Sequence, residues 1–289
     1  MEILIGTRNS PLAIAQAEII KRAITQKYDL AIQIVTFNTK GDRNLQAFGN
    51  FENVKGLFTL ELEHALLNHE IDLAVHSLKD MSANQNPALE ILAYSKREDP
   101  RDALILNHEH TKILTIGSSS LRRKLQLRKI FPDSQLVNLR GNIHTRIRKL
   151  HEQNLSGIVL AASGLKRMNL EHIIARFFTI DEIMPAPGQG ILACQGRCGE
   201  NYFYMDAVND PESEACAIAE RSFSEFLGAG CNVPVGANAV ICDGKIFLRG
   251  LFIDEESGIF HRGNISGEIS QAESLGKILA EQVIEKCKI

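Results

Sequence analysis

The sequence predicts an α/β protein with two similar lobes followed by a smaller α+β unit. Three observations carry this expectation. Strand-like and helix-like segments alternate over the first part of the chain. The alternation restarts near residue 113 with an echo of its own beginning, ILIGTRNSPL against LTIGSSSLRR. The last third changes character, with a hairpin signal at Asp243-Gly244 and a closing amphipathic helix.

Taken in order, residues 1–6 form a short apolar strand and residues 10–27 a helix. Ser10 suits the N-cap, Pro11 the first helical position, and Leu12, Ile19, Ile20 and Ile24 an apolar stripe. A strand at 32–37, a helix at 57–68 and a strand at 72–76 complete a βαβαβ pattern, which implies a parallel sheet. The third strand runs into the polar turn Ser77-Leu78-Lys79-Asp80. The second lobe repeats the scheme with strands at 113–117, 135–139 and 157–161 and helices at 121–130 and 143–153. MPAPGQG, from Met184 to Gly190, is rich in breakers and reads as a hinge or crossover. A helix at 211–226 and a loop at 228–234 follow. A hairpin of 237–242 and 245–252, a strand near 261–266 and a helix at 270–287 close the chain.

Composition narrows the class. The chain has 289 residues, 44% hydrophobic and 23% charged, which suits two or three cored globular domains rather than disorder. No apolar run approaches the roughly 20 residues needed to span a bilayer, so no membrane association is expected. The opening MEILIG lacks a basic leader region, so the expected location is cytoplasmic. Six cysteines show no CxxC pair or His-rich partner, which argues against a metal site, and a cytoplasmic setting argues against disulfides. A net charge of −3 gives no global pull toward nucleic acid.

Charge is distributed unevenly, however. Between Ser118 and Arg167 there are eleven Lys or Arg and only two acids, Asp133 and Glu152. Arg8, Arg122, Arg123, Arg140, Arg146 and Arg167 follow predicted strands or open helices, the carboxyl-end rim where open α/β sheets bind ligands. Guanidinium groups grip carboxylates bidentately. The two hydroxyl-rich strand-to-helix turns, one per lobe, are natural anion sites facing a shared cleft. Arg128, Arg148 and Lys149 read as a solvated helix face. A nucleic-acid surface is disfavoured because no aromatics are interleaved with the basic residues. In His76-Ser77-Leu78-Lys79-Asp80 the Asp-Lys pair is either an acid/base group in the cleft or an ordinary surface ion pair, and His76 faces the core. Cys231, in the small-residue loop GAGCNVP, is either an exposed reactive thiol or a buried free cysteine.

In order along the chain stand TRNSPLAIAQA, TKGD, KGLFTLELE, HSLKD, EDPRDA, SSLRR, LRGNIHTR, GLKR, PGQG and GCNVPVG. Together they resemble the porphobilinogen deaminases, or hydroxymethylbilane synthases, over nearly the whole chain. The resemblance implies a transferase of tetrapyrrole (porphyrin and haem) biosynthesis. Such enzymes join four porphobilinogen molecules head to tail into hydroxymethylbilane and release ammonia at each step. The chain grows on a dipyrromethane cofactor held by a thioether, here to Cys231. Asp80 matches the family's catalytic aspartate, with Lys79 and Arg8 beside it. By similarity Ser10, Lys79, Asp80, Ser118, Ser120, Arg122, Arg123 and Arg140 meet the cofactor. Arg8, Ser10, Gln16, Lys55, Arg140, Arg146 and Arg167 meet the substrate.

The fold implied is two periplasmic-binding-protein-like, doubly wound domains and a small α+β domain with a three-stranded antiparallel sheet. Their spans would be 1–95 with 191–208, then 101–184, then 213–289. A monomer is implied, with domain motion about the crossovers at 95–101 and 184–191. This chain departs from the family at Phe51-Glu-Asn-Val54, Met81-Ser82 and His144, which concerns local loop geometry, and Ser118 stands where threonine is frequent. The alternative reading is a non-catalytic two-lobed solute-binding protein for a polycarboxylate, which gives Cys231 no role.

Overall fold

The computed structural model describes residues 2–38, 59–82, 86–228, 233–255 and 257–285. The first sheet contains β1 (Glu2–Arg8), β2 (Ala31–Phe37), β3 (Leu73–Ser77), β4 (Leu89–Tyr94) and β10 (Leu192–Arg197), in the order β2-β1-β3-β10-β4. The second contains β5 (Asp102–Leu106), β6 (Thr115–Gly117), β7 (Gln135–Val137), β8 (Gly157–Ala161) and β9 (Arg176–Phe177), in the order β7-β6-β8-β5-β9. Each sheet is the centre of one α/β lobe.

The strands of each βαβαβ run pair in parallel as expected, but each sheet also takes in one reversed strand. Strand β10 runs antiparallel to β3 and β4, and β5 runs antiparallel to β8 and β9. The reversed strand is fourth in each order. Each begins directly after a segment crossing between lobes, so it enters its sheet from the end opposite to its neighbours. No helix-to-strand periodicity announces such a strand.

Helix α1 (Pro11–Lys27) starts where expected: the Ser10 hydroxyl accepts from Ala13 N at 3.3 Å, and Pro11 needs no N–H partner. Its buried face is Ala13, Gln16, Ala17, Ile20 and Ile24, whereas Ile19 is exposed and leaves the expected stripe. Helix α2 (Leu60–Leu67) covers the other face of the first sheet through Leu62, Ala65 and Leu66. In the second lobe, α3 (Leu121–Ile130), α4 (Ile143–Glu152) and the short α5 (Ala162–Arg167) cover the sheet. Leu127 packs in one core cluster there, and Leu150 and Leu165 in another.

The C-terminal lobe is a three-stranded antiparallel sheet, β11 (Val235–Cys242), β12 (Lys245–Ile253) and β13 (Phe260–Glu268), under α6 (Pro211–Phe226) and α7 (Ala272–Glu285). Asp243 and Gly244 turn the hairpin with φ of 51° and 72°, the left-handed pair of a type I′ turn. Leu78, Met81, Ile191, Ala193 and Ala217 form a core between α6 and the first lobe. Met184, Leu251 and Ile253, with Leu125, Ile180 and Phe260, form one with the second lobe. No helix among the described residues is long and apolar enough to cross a membrane.

Candidate active site

Strand β3 is buried almost to its end and then tightens into a 3-10 turn, Leu78–Asp80. Leu78 anchors the turn, at 1% exposure beneath the crossover. A Cβ on Gly188 would lie 2.7 Å from its side chain, so only glycine lets the two segments meet. Anchoring Leu78 leaves Lys79 half-buried and Asp80 exposed at the rim. Asp80 lines a small open cavity of about 60 Å³ together with Arg8, Ser10, Gln16, His76 and Ser77. Gln16, nearly buried, donates to the Ser77 hydroxyl at 2.8 Å. Burial pushes the His76 imidazole down to about 4, so it is neutral at pH 7. Its Nε2 has no hydrogen-bond partner among the described residues.

The second lobe contributes the serine turn between β6 and α3. Ser118 is 2% exposed and its hydroxyl accepts from Ser120 N at 3.3 Å. The Ser120 hydroxyl caps α3 by accepting from Arg123 N at 3.4 Å. Arg122 and Arg123, each 6% exposed, converge on one carboxylate. Their Nη2 atoms donate to Asp102 Oδ2 and Oδ1 at 3.0 and 2.8 Å. Arg122 also donates to the Met184 carbonyl. Burial raises the Asp102 carboxyl, but the Arg123 and Arg122 charges overcome this and hold it well below the usual carboxylate range. Gln189 joins this cluster to the first lobe. Its amide donates to Pro100 O and Asp102 Oδ1, and its carbonyl accepts from Lys79 Nζ at 3.4 Å. Burial pushes the Lys79 ammonium down to about 8, against the opposing pull of Asp80.

Arg146 reaches the same space. Its Nε donates to Gly141 O at 2.7 Å, and burial lowers it to about 10, with Arg123 pushing the same way and Asp80 opposing. Arg167 donates to Gly190 O at 2.5 Å, and burial lowers it to about 10 as well. Arg140 is half-buried, and its carbonyl accepts from Lys149 Nζ at 3.1 Å. Lys149 is therefore not the solvated residue expected, whereas Arg148 is, at 67% side-chain exposure in an i,i+4 pair with Glu152. Lys55, Cys231 and the Phe51-Val54 departure lie outside the described residues. Sequence reasoning missed Asp102 and Gln189, although both sit inside the motifs EDPRDA and PGQG. The available signal was an acid opening an apolar strand and an amide between two hinge glycines.

Residues 3–204 match the family model described as porphobilinogen deaminase, dipyromethane cofactor binding domain, and residues 214–285 match the porphobilinogen deaminase C-terminal domain. The chain belongs to the porphobilinogen deaminase family. The porphobilinogen deaminase of Ruminiclostridium josui is 44% identical over 284 residues, covering 98% of this chain and 97% of that one. That of Ruminiclostridium cellulolyticum is 42% identical over 295 residues, covering 99% of each. Among solved structures, the ligand-binding component of an ABC-type import system from Staphylococcus aureus aligns with a TM-score of 0.41 at 14% identity, over 78% of this chain and 74% of that one. A likeness that distant adds nothing to the assignment.

A porphobilinogen deaminase is a transferase of tetrapyrrole biosynthesis. It condenses four porphobilinogen molecules into hydroxymethylbilane with loss of ammonia, on a dipyrromethane cofactor. The donors of both lobes suit that group, whose pyrroles each carry an acetate and a propionate. Arg8 and Ser10 share a pocket with Asp80, and Lys79 and Arg146 act on it through their charges.

Proposed function

We propose that condensation takes place at Asp80, in the cleft between the two α/β lobes. The observation that carries this reading is the Asp80 carboxylate, on the wall of a cavity shared with Arg8, Ser10 and Gln16 and within the fields of Lys79 and Arg146. The cofactor supplies the terminal pyrrole whose free α-carbon extends the chain. Asp80 stabilises positive charge as it develops on a pyrrole nitrogen and takes up the proton released. Arg8 and Lys79 flank the reacting centre and hold nearby carboxylates.

Ser10, Lys79, Ser118, Ser120, Arg122, Arg123 and Arg140 hold the cofactor. Arg8, Ser10, Gln16, Lys55, Arg140, Arg146 and Arg167 hold the substrate, and Cys231 is the covalent anchor. Two guanidiniums on the single carboxylate of Asp102 leave one net positive charge, which supports an anionic ligand at that wall. Their burial favours a small carboxylate over nucleic acid as the partner. The division into domains at 1–95 with 191–208, 101–184 and 213–289 is part of this reading, as are a monomeric state and a cytoplasmic location.

Intact-mass spectrometry tests the anchor. The holoprotein should carry an added mass of two linked pyrroles that is absent from Cys231→Ser, and an unmodified thiol in active protein overturns it. Asp80→Ala should keep that mass yet release ammonia from porphobilinogen about 100-fold more slowly or worse. Near-normal turnover rules out the role given to Asp80.

A further inference from the structure

Gln189 sits between two hinge glycines and is 1% exposed, so its amide is expected to be fully satisfied. Its Nε2 lies 2.7 Å from Pro100 O and 2.8 Å from Asp102 Oδ1. Both of those atoms can only accept, because Asp102 is ionised. The NH2 group must therefore face them, and this fixes the orientation of the amide without any further assumption. The other end, Oε1, then has to point at Lys79 Nζ, 3.4 Å away. Lys79 comes from the first lobe, Asp102 opens the second, and Gln189 belongs to the segment crossing between them.

We infer that Gln189 is a positioning residue, whose clamped amide presents a fixed carbonyl oxygen that holds the Lys79 ammonium beside Asp80. The inference rests on the placement of the reaction at Asp80. The contact is long for a hydrogen bond to a cation, so it orients Lys79 while leaving its remaining N–H groups free to meet a substrate carboxylate. Lys79 needs such an acceptor. Asp80 and Asp102 draw it toward the charged form, while Arg122, Arg123 and burial oppose that form and push it down to about 8. A neutral acceptor at Gln189 supports the cation without cancelling the site's net positive charge, as a second carboxylate would.

The test compares Gln189→Met with Gln189→Glu in the holoprotein. Mass spectrometry follows reductive methylation of Lys79 against pH, and kcat is measured over the same range. Removing the acceptor should lower the Lys79 titration by about one pH unit, about a fivefold gain in the reactive fraction at pH 7, while Glu should raise it. The alkaline limb of kcat should shift in the same two directions. A merely structural role would loosen the site and raise the titration toward 10.5 in both variants, and that result overturns the inference. So does a titration unchanged in both. If the Lys79 titration moves as expected while the kcat profile stays fixed, Gln189 positions Lys79 but the role given to Lys79 in the reaction fails.

Discussion

Arg97 and Glu220 form a bidentate ion pair, 2.7 and 2.8 Å, at the point where both interlobe crossovers meet the C-terminal lobe. Glu220, on α6, also accepts from Gly188 N at 2.7 Å and Ala239 N at 2.6 Å. One fully buried carboxylate thus ties together the first crossover, the second crossover and the edge of the C-terminal sheet. Its four donors satisfy the lone pairs that burial would otherwise leave open.

Removing that carboxylate leaves the Arg97 guanidinium buried without its counter-ion. Glu220→Ala should lower unfolding stability by about 3–5 kcal/mol, measured by urea denaturation. The double variant Arg97→Met with Glu220→Leu should lose less than Glu220→Ala, since no unpaired charge remains. A double variant as unstable as the single one would show that the backbone contacts of Glu220, not the ion pair, carry the seam.

Asp102 offers a pH-dependent test. Its folded pKa is depressed by Arg122 and Arg123, so its stabilisation is fully present above the unfolded value, about 3.9, and lost as pH falls from there toward the folded one. Asp102→Asn should cost about 3–5 kcal/mol at pH 7, because two guanidiniums stay buried without their partner. The gap between wild type and variant, followed by thermal unfolding, should hold constant from pH 7 to about 5 and narrow below about 4. A gap that does not change with pH would mean that the effect of the substitution is steric.

Gly190 is where the crossovers touch. It has a φ of +97°, and a Cβ there would lie 2.2 Å from the Glu98 carbonyl oxygen. Glu98 N donates to Gly190 O at 3.1 Å, and Arg167 donates to the same oxygen. Gly190→Ala should therefore destabilise by at least about 2 kcal/mol and displace Arg167. Unchanged denaturation together with an unchanged KM for porphobilinogen would disprove the close approach.

Much of the fold is legible in the linear pattern because its causes are local. Ser10 and Pro11 start α1 by satisfying or removing N–H groups within one turn, and Asp243-Gly244 turns the hairpin because both residues tolerate positive φ. Asp80 and the arginines stand out as candidates for a related reason: ligands bind beyond the strand ends of open α/β sheets. Ile19, read as core, turned out exposed because periodicity defines a stripe only to within a residue or so of the packed face.

By itself, then, the sequence determined the family, the reaction, the order of most helices and strands, and the chemical class of the ligand. The tertiary structure alone decided which strand is reversed in each sheet, that Arg122 and Arg123 share the Asp102 carboxylate, and that Gln189 connects Asp102 to Lys79. Caps and turns are settled by neighbours a few residues away. The partners of a buried charge are settled by where a distant part of the chain returns, and Asp102 and Gln189 stand 87 residues apart.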